Sequence, residues 1–108
     1  MPGYFTFHKI PAGQFMFNLK AGNHQVILTS QIYTTKQAAL DGIESVRYNS
    51  QIELRFERKI AKDDSPFFVL NATNGQVIGK SEMYSGALAM EDGIKSVMAN
   101  GAAKIRNV

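Results

Sequence analysis

The chain has no cysteine, which excludes a disulfide framework, thiolate chemistry and any zinc site built on sulfur. It has only two histidines, His8 and His24, and neither has a recurrent carboxylate partner nearby. Since a metal site needs three or four converging ligands, neither a metal nor a catalytic histidine pair is expected. No apolar run approaches the ~20 residues that span a bilayer, and the opening MPGYFTFHKI lacks the charged-then-apolar order of a signal peptide. The expectation is a protein in the cytoplasm with no membrane contact. No glycine-rich phosphate loop leads into a helix, and no serine sits in a nucleophile-elbow pattern, so the chain reads as non-enzymatic and without a cofactor. Strong charge is missing too: 12 Lys and Arg against nine Asp and Glu permit an anionic partner without requiring one.

What is present is a repeat. The stretch SQIYTTKQAALDGIESVRYN, residues 30–49, returns 51 residues later as SEMYSGALAMEDGIKSVMAN, residues 81–100. Aligning residues 15–50 with 66–101 gives 16 identities in 36 positions, the mark of an internal duplication. Upstream of residue 15 the offset is ambiguous by one, because the second copy has a longer turn at Ala61 to Pro66. The 108 residues read as a single domain made of two copies, about 1–53 and 54–108, with no linker between them.

Residues 4–10 alternate, Phe5 and Phe7 against Tyr4, Thr6 and His8. Residues 15–21 alternate again, Phe15, Phe17, Leu19 and Ala21 against Met16, Asn18 and Lys20. Both have the period of half-buried strands. Asn74-Gly75 predicts a two-residue type I′ hairpin, so residues 25–30 return antiparallel. Thr34 with Gln37 forms a capping-box pattern at the start of a helix, and Ser85 takes the cap position in the second copy. Ala38, Ala39, Gly42, Ile43 and Val46 share one helical arc. Gly42 and Gly93 sit mid-helix at a cost of ~1 kcal/mol each, which predicts a close approach to the sheet. Asn49 and Asn100 suit the C-terminal cap. Residues 52–59 also alternate and read as one strand that closes the first copy and opens the second, with Ala103 to Val108 as its equivalent. The fold class is α+β: two β3-α-β units in one antiparallel sheet with two helices on one face.

Three motifs recur in this order. Phe17 to Ile27 and Phe68 to Ile78 carry F-x-L-x-A-x-N-x-x-V-I; Ser30 to Tyr33 and Ser81 to Tyr84 carry S-x-x-Y; Gly42 to Asn49 and Gly93 to Asn100 carry G-I-x-S-V-x-x-N. In these the sequence resembles the YegP-like family of small bacterial tandem-repeat proteins of unknown function. The resemblance covers nearly the whole chain and implies exchanged C-terminal strands between the two units. It supplies no catalytic residues to carry over. Gly22 and His24 depart from the usual Asn-Gly turn in the first copy.

The recurrent polar set Ser30, Tyr33, Ser81 and Tyr84 could bind an anion at a helix N-terminus. The preferred reading is structural, with tyrosine as a hydrophobic staple and serine holding the connecting turn. The helix-free face of the sheet is expected to gather Tyr4, His8, Met16, Lys20, Arg55, Lys59, Phe67, Lys104 and Arg106, with Glu53 and Glu57 weakening its field. Such a face suits single-stranded nucleic acid or another anion. The leading expectation is instead a protein-interaction module, using the sheet edges or an apolar patch at Met16 and Phe67. A monomer is expected, since one chain already holds what a dimer of single copies would supply.

Overall fold

Apolar alternation and helical arcs become elements close to where the sequence puts them. The strands are β1 (Tyr4–Ile10), β2 (Gln14–Lys20), β3 (Val26–Ser30), β4 (Phe56–Ile60), β5 (Pro66–Asn71), β6 (Val77–Lys80) and β7 (Lys104–Arg106), and the helices are α1 (Lys36–Asn49) and α2 (Ala87–Asn100). The computed structural model describes residues 3–106; Asn107 and Val108, which the expected last strand includes, lie outside the described residues, as do Met1 and Pro2. All seven strands form one sheet in the order β4-β5-β6-β3-β2-β1-β7. Helix α1 packs on β2, β5 and β6, and α2 packs on β5, β3 and β2. Each helix therefore rests partly on its own repeat and partly on the other.

The core lies between the helices and the strand residues that face them. Phe5, Phe17, Leu19, Phe68 and Leu70 are fully buried against Ile43, Val46, Ile94 and Val97. The repeat is visible in its rings. Phe5 meets Phe17 edge-on at 5.9 Å and Phe56 meets Phe68 edge-on at 5.7 Å. Phe5 pairs with Leu19 and Phe56 with Leu70, so the offset of 51 residues holds upstream of residue 15 as well.

The sheet is antiparallel except at one pair: β7 runs parallel to β1, with Lys104 opposite Tyr4 and Arg106 opposite Thr6. One polar side per strand does not reveal the direction of strands joined through a long connection. This pair is the exchange, since the closing strand of the second repeat joins the opening strand of the first. Arg47 of α1 secures the crossing by donating two hydrogen bonds to the Ala103 carbonyl, at 2.9 and 3.2 Å. The exchange is not returned. Glu53–Arg55, the positions equivalent to β7, form a 3-10 turn rather than the start of a strand. To match β7 they would have to lie parallel beside β4, into which they run directly, and a parallel pair needs a crossover of a dozen or more residues. The expected shared strand over residues 52–59 is corrected to β4 alone.

Three further expectations shift. Asn49 and Asn100 are the last helical residues, their side chains donating to the Ser45 and Ser96 carbonyls, and the C-terminal caps are Ser50 and Gly101, both right-handed. Thr35 rather than Thr34 caps α1, its hydroxyl accepting from the Ala38 N–H at 3.0 Å, and Gln37 bonds Asp41 instead. The equivalent cap of α2 is Gly86, not Ser85, and it has no side-chain bond. The β5–β6 turn is not type I′, which needs positive φ at two central residues. Only Gly75 has it, at 86°, as His24 does at 70° in the first copy. With the Ala72 N–H bonded to the Gln76 carbonyl and the Gly75 N–H to the Ala72 carbonyl, each loop is a turn followed by one left-handed residue and a bulge.

At the centre, where β3 pairs with β6, Thr29 lies opposite Lys80, the same position in the two copies. Each repeat here meets its own counterpart. Leu28 corresponds to Gly79, and a β-carbon on Gly79 would stand 2.7 Å from the Leu28 Cγ. Ser50 corresponds to Gly101, and a β-carbon there would stand 2.6 Å from the Ser50 Cβ. At both positions one copy has the side chain and the other makes room for it.

Candidate functional site

The side of the sheet away from the helices carries one continuous row of residues in register: Glu57, Val69, Lys80, Thr29, Asn18, Thr6 and Arg106. A neighbouring row places Lys20, Tyr4 and Lys104 side by side, and further out lie His8 opposite Met16 and Lys59 opposite Phe67. The strands thus display Lys20, Lys59, Lys80, Lys104 and Arg106 against a single acid, Glu57. The Glu57 carboxyl is held below its usual range first by the Asn71 amide at 3.2 Å and then by Lys59 at 3.5 Å. One of the five cations is therefore already partly neutralised.

Two of the cations lie on rings. The Arg106 guanidinium stands 4.1 Å from the centroid of Tyr4, and the Lys80 ammonium 4.9 Å from that of Phe67. Cations over aromatic faces are held by the ring quadrupole, so these charges are positioned while the rings beneath them are covered. Tyr4 is buried, and its hydroxyl lies 2.7 Å from the Nδ1 of His24. His8 is spoken for as well, with Nε2 2.9 Å from the Thr6 hydroxyl.

Of the residues the sequence points to, Tyr4, His8, Met16, Lys20, Lys59, Phe67, Lys104 and Arg106 share this face. Arg55 does not. It sits on the 3-10 turn and its Nε donates to the Asn49 side chain at the end of α1, at 3.1 Å; Glu53, on the same turn, reaches Arg58 rather than the face. Met16 and Phe67 form no common patch, because β3 and β6 lie between their strands. Lys80 belongs to the face as well. Its place depends on the β3–β6 register, which joins the two repeats and leaves no local signal.

The Ser-x-x-Tyr set is built into the fold. Ser30 Oγ accepts from the Phe17 N–H at 2.9 Å and donates to the Gln31 carbonyl, and Ser81 Oγ does the same with Phe68, at 3.0 Å, and Glu82. Tyr33 stacks on Phe17 and Tyr84 on Phe68, both at an interplanar angle of 11°. Burial raises both phenols above their usual value, with Glu82 adding to the effect at Tyr84. Both serine hydroxyls and both rings thus already have partners in the protein.

Among the described residues no helix is long and apolar enough to cross a membrane. A family model described as "Domain of unknown function (DUF1508)" matches residues 11–57 and again 61–106. A UPF0339 protein of Shewanella oneidensis is 54% identical over 101 residues, covering 94% of this chain and 92% of its own length. The UPF0339 protein YegP of Escherichia coli is 49% identical over 104 residues, covering 96% and 94%. The solution NMR structure of a Shewanella oneidensis UPF0339 protein superposes with a TM-score of 0.93 at 51% identity, over 99% of this chain and 92% of that one. That of the Escherichia coli protein, described as of unknown function, also gives 0.93, at 47% identity over 99% and 93%.

Proposed function

We propose that this chain, which belongs to the UPF0339 family and carries its DUF1508 unit twice, is a non-catalytic binding protein whose helix-free sheet face holds single-stranded nucleic acid by its phosphates. The family's descriptions give no activity, so the reading rests on this chain's own surface. One observation carries it: five lysine and arginine side chains face out from the strands against one glutamate, more than the whole chain's net charge of +3.

Phosphate contact is favoured over base stacking because Arg106 and Lys80 cover the rings of Tyr4 and Phe67. Binding of that kind is tolerant of sequence and falls steeply with salt. A protein interface on the same face has less behind it. Such interfaces centre on exposed aromatic and large apolar anchors, whereas Leu54, Leu88, Ile60 and Tyr48, the most exposed large apolar side chains, lie on the 3-10 turn, on the helices and on the helix-side register of β4.

Fluorescence anisotropy of a labelled random single-stranded oligonucleotide tests the reading. Binding is expected at low salt, weakening uniformly across sequences on Arg106→Ala and Lys80→Ala and unchanged on Arg55→Ala. Absence of binding at low salt, or equal losses from all three substitutions, would overturn it. Displacement of the oligonucleotide by polyglutamate at equal charge concentration would assign the face to acidic protein segments as readily as to nucleic acid.

A further inference from the structure

The sixteen positions at which residues 15–50 agree with 66–101 fall into two sets. Phe17, Leu19, Ser30, Ile43, Val46 and Asn49, with their counterparts, are explained by the fold: five are buried in the first repeat, and Ser30 bonds the backbone of β2. The other ten line a single groove of about 680 Å³ between α1 of the first repeat and the β5–β6 turn of the second. Of its eleven lining residues only Gln31, which aligns with Glu82, differs between copies.

Packing accounts for some of these identities, since Gly42 receives the Tyr33 ring and Asn74 closes its own turn by accepting from the Gln76 N–H at 3.0 Å. It does not account for Asp41 and Gln76, which are exposed and yet the same in both repeats. The Gln37 that bonds Asp41 is Leu88 beside Asp92, so internal pairing is not what retains the carboxylate. Exposed positions drift freely after a duplication, as Glu44 and Lys95 show. Within the aligned span, the identical positions exposed in both repeats, Asn23, Gln25 and Asp41 with their counterparts, all belong to this groove and its equivalent.

We infer that this groove and its twin, formed by α2 with the β2–β3 turn, are two copies of one binding site for an extended peptide segment bearing a lysine or arginine side chain. The groove is open to solvent rather than enclosed, as a chain segment requires. The Tyr33 and Ser45 hydroxyls and the Gln76 amide offer both donors and acceptors, matching a peptide backbone that has both. Asp41 is its one charged residue, and the equivalent positions of the twin hold Asp92 and Glu82 with no cation. In a chain of net charge +3, a neutral lining whose one charge is a carboxylate selects a basic side chain, whose aliphatic stem would lie along Ala38. Helix α2 rests on β3 as α1 rests on β6, and Tyr84 covers Gly93 as Tyr33 covers Gly42, so the elements that frame the first site recur at the second.

Amide NMR spectra of the full chain, titrated with the blocked tripeptide Ala-Lys-Ala, test this. The signals of Ala38 and Gln76, and of Ala89 and Gln25, are expected to move. Asp41→Asn should weaken the first set about two- to fivefold, the scale of one exposed ion pair, and leave the second; Asp92→Asn should do the reverse. Either variant with an otherwise unchanged spectrum is folded, so the readout does not depend on stability. Equal shifts from Ala-Glu-Ala, shifts that ignore both substitutions, or shifts confined to the helix-free face would overturn the inference. Butylamine matching the peptide at equal concentration would show a site for simple cations and overturn the peptide assignment.

Discussion

Tyr33 lies directly over Gly42, so that a β-carbon on the glycine would stand 2.8 Å from the phenol Cζ and closer still to its oxygen; Tyr84 and Gly93 repeat the contact, with Cζ at 2.6 Å. The mid-helix glycines make room for the ring that enters with the helix, not for the strand backbone. Gly42→Ala gains about 1 kcal/mol of helix propensity against an overlap costing about 1–3 kcal/mol, and a net loss of about 1 kcal/mol is expected by urea denaturation. Tyr33→Phe removes the nearest atom, so the double variant should recover part of that loss. A Gly42→Ala protein as stable as the parent would mean that the helix slides off the ring freely.

Two other glycines separate conformation from space. Gly75 has φ at 86° with nothing within 4 Å of a β-carbon, so Gly75→Ala should cost the left-handed penalty alone, about 1–2 kcal/mol. Gly79 has an ordinary φ but faces Leu28, so its alanine variant suffers crowding. Gly79→Ala should cost less in a Leu28→Ala background than in the parent, whereas Gly75→Ala should cost the same in both. Additive losses in both pairs would refute the distinction.

The second repeat ties β4 to α2 with Arg58, which donates to Glu91 at 2.5 and 2.7 Å. Hydrogen bonds from Arg58 hold the Glu91 carboxyl below its usual 4.5. The folded state therefore keeps it ionised to lower pH than the unfolded chain does. Its contribution is whole above about 4.5 and is lost as pH falls through the depressed value. Both side chains are more than a third exposed, at 39% and 38%, which limits the effect to about 1 kcal/mol or less. Urea midpoints at neutral and strongly acidic pH should differ less for Glu91→Gln than for the parent.

Helix α1 has a side-chain cap and α2 has none. Thr35→Ala should lower stability by about 1 kcal/mol, and Gly86→Ser, at an extended residue with nothing within 4 Å of a β-carbon, should raise it by a few tenths. Thermal melts of both variants would decide; a gain from Thr35→Ala would show that the hydroxyl does not cap.

Much of this fold was legible because the same pattern is written twice: the alternation around Phe17 and Phe68 and the arc from Ala39 to Val46 each had a second copy to check against. What escaped depends on geometry that neighbouring residues leave open. Thr34-Thr35 and Ser85-Gly86 offer adjacent caps, and backbone direction chooses between them. Asn74-Gly75 serves two turn types, and only the closing Ala72–Gln76 bond decides. Alternation through Ile52 and Leu54 looks like strand, but chain continuity forbids the pairing. Arg55 left the predicted face for that reason, and Lys80 joined it through a register set between repeats. The groove around Asp41 was invisible because half its wall lies in the other copy.

The pairs Leu28 with Gly79 and Ser50 with Gly101 set each half against replacement by the other. Recombination that overwrote the second half with the first would set leucine against leucine and serine against serine. The opposite event would leave two glycines and an unfilled hole in place of a buried leucine, a loss of several kcal/mol by analogy with large-to-small core changes. Either conversion damages the seam, so the halves are held at unequal sequences even though they share one architecture.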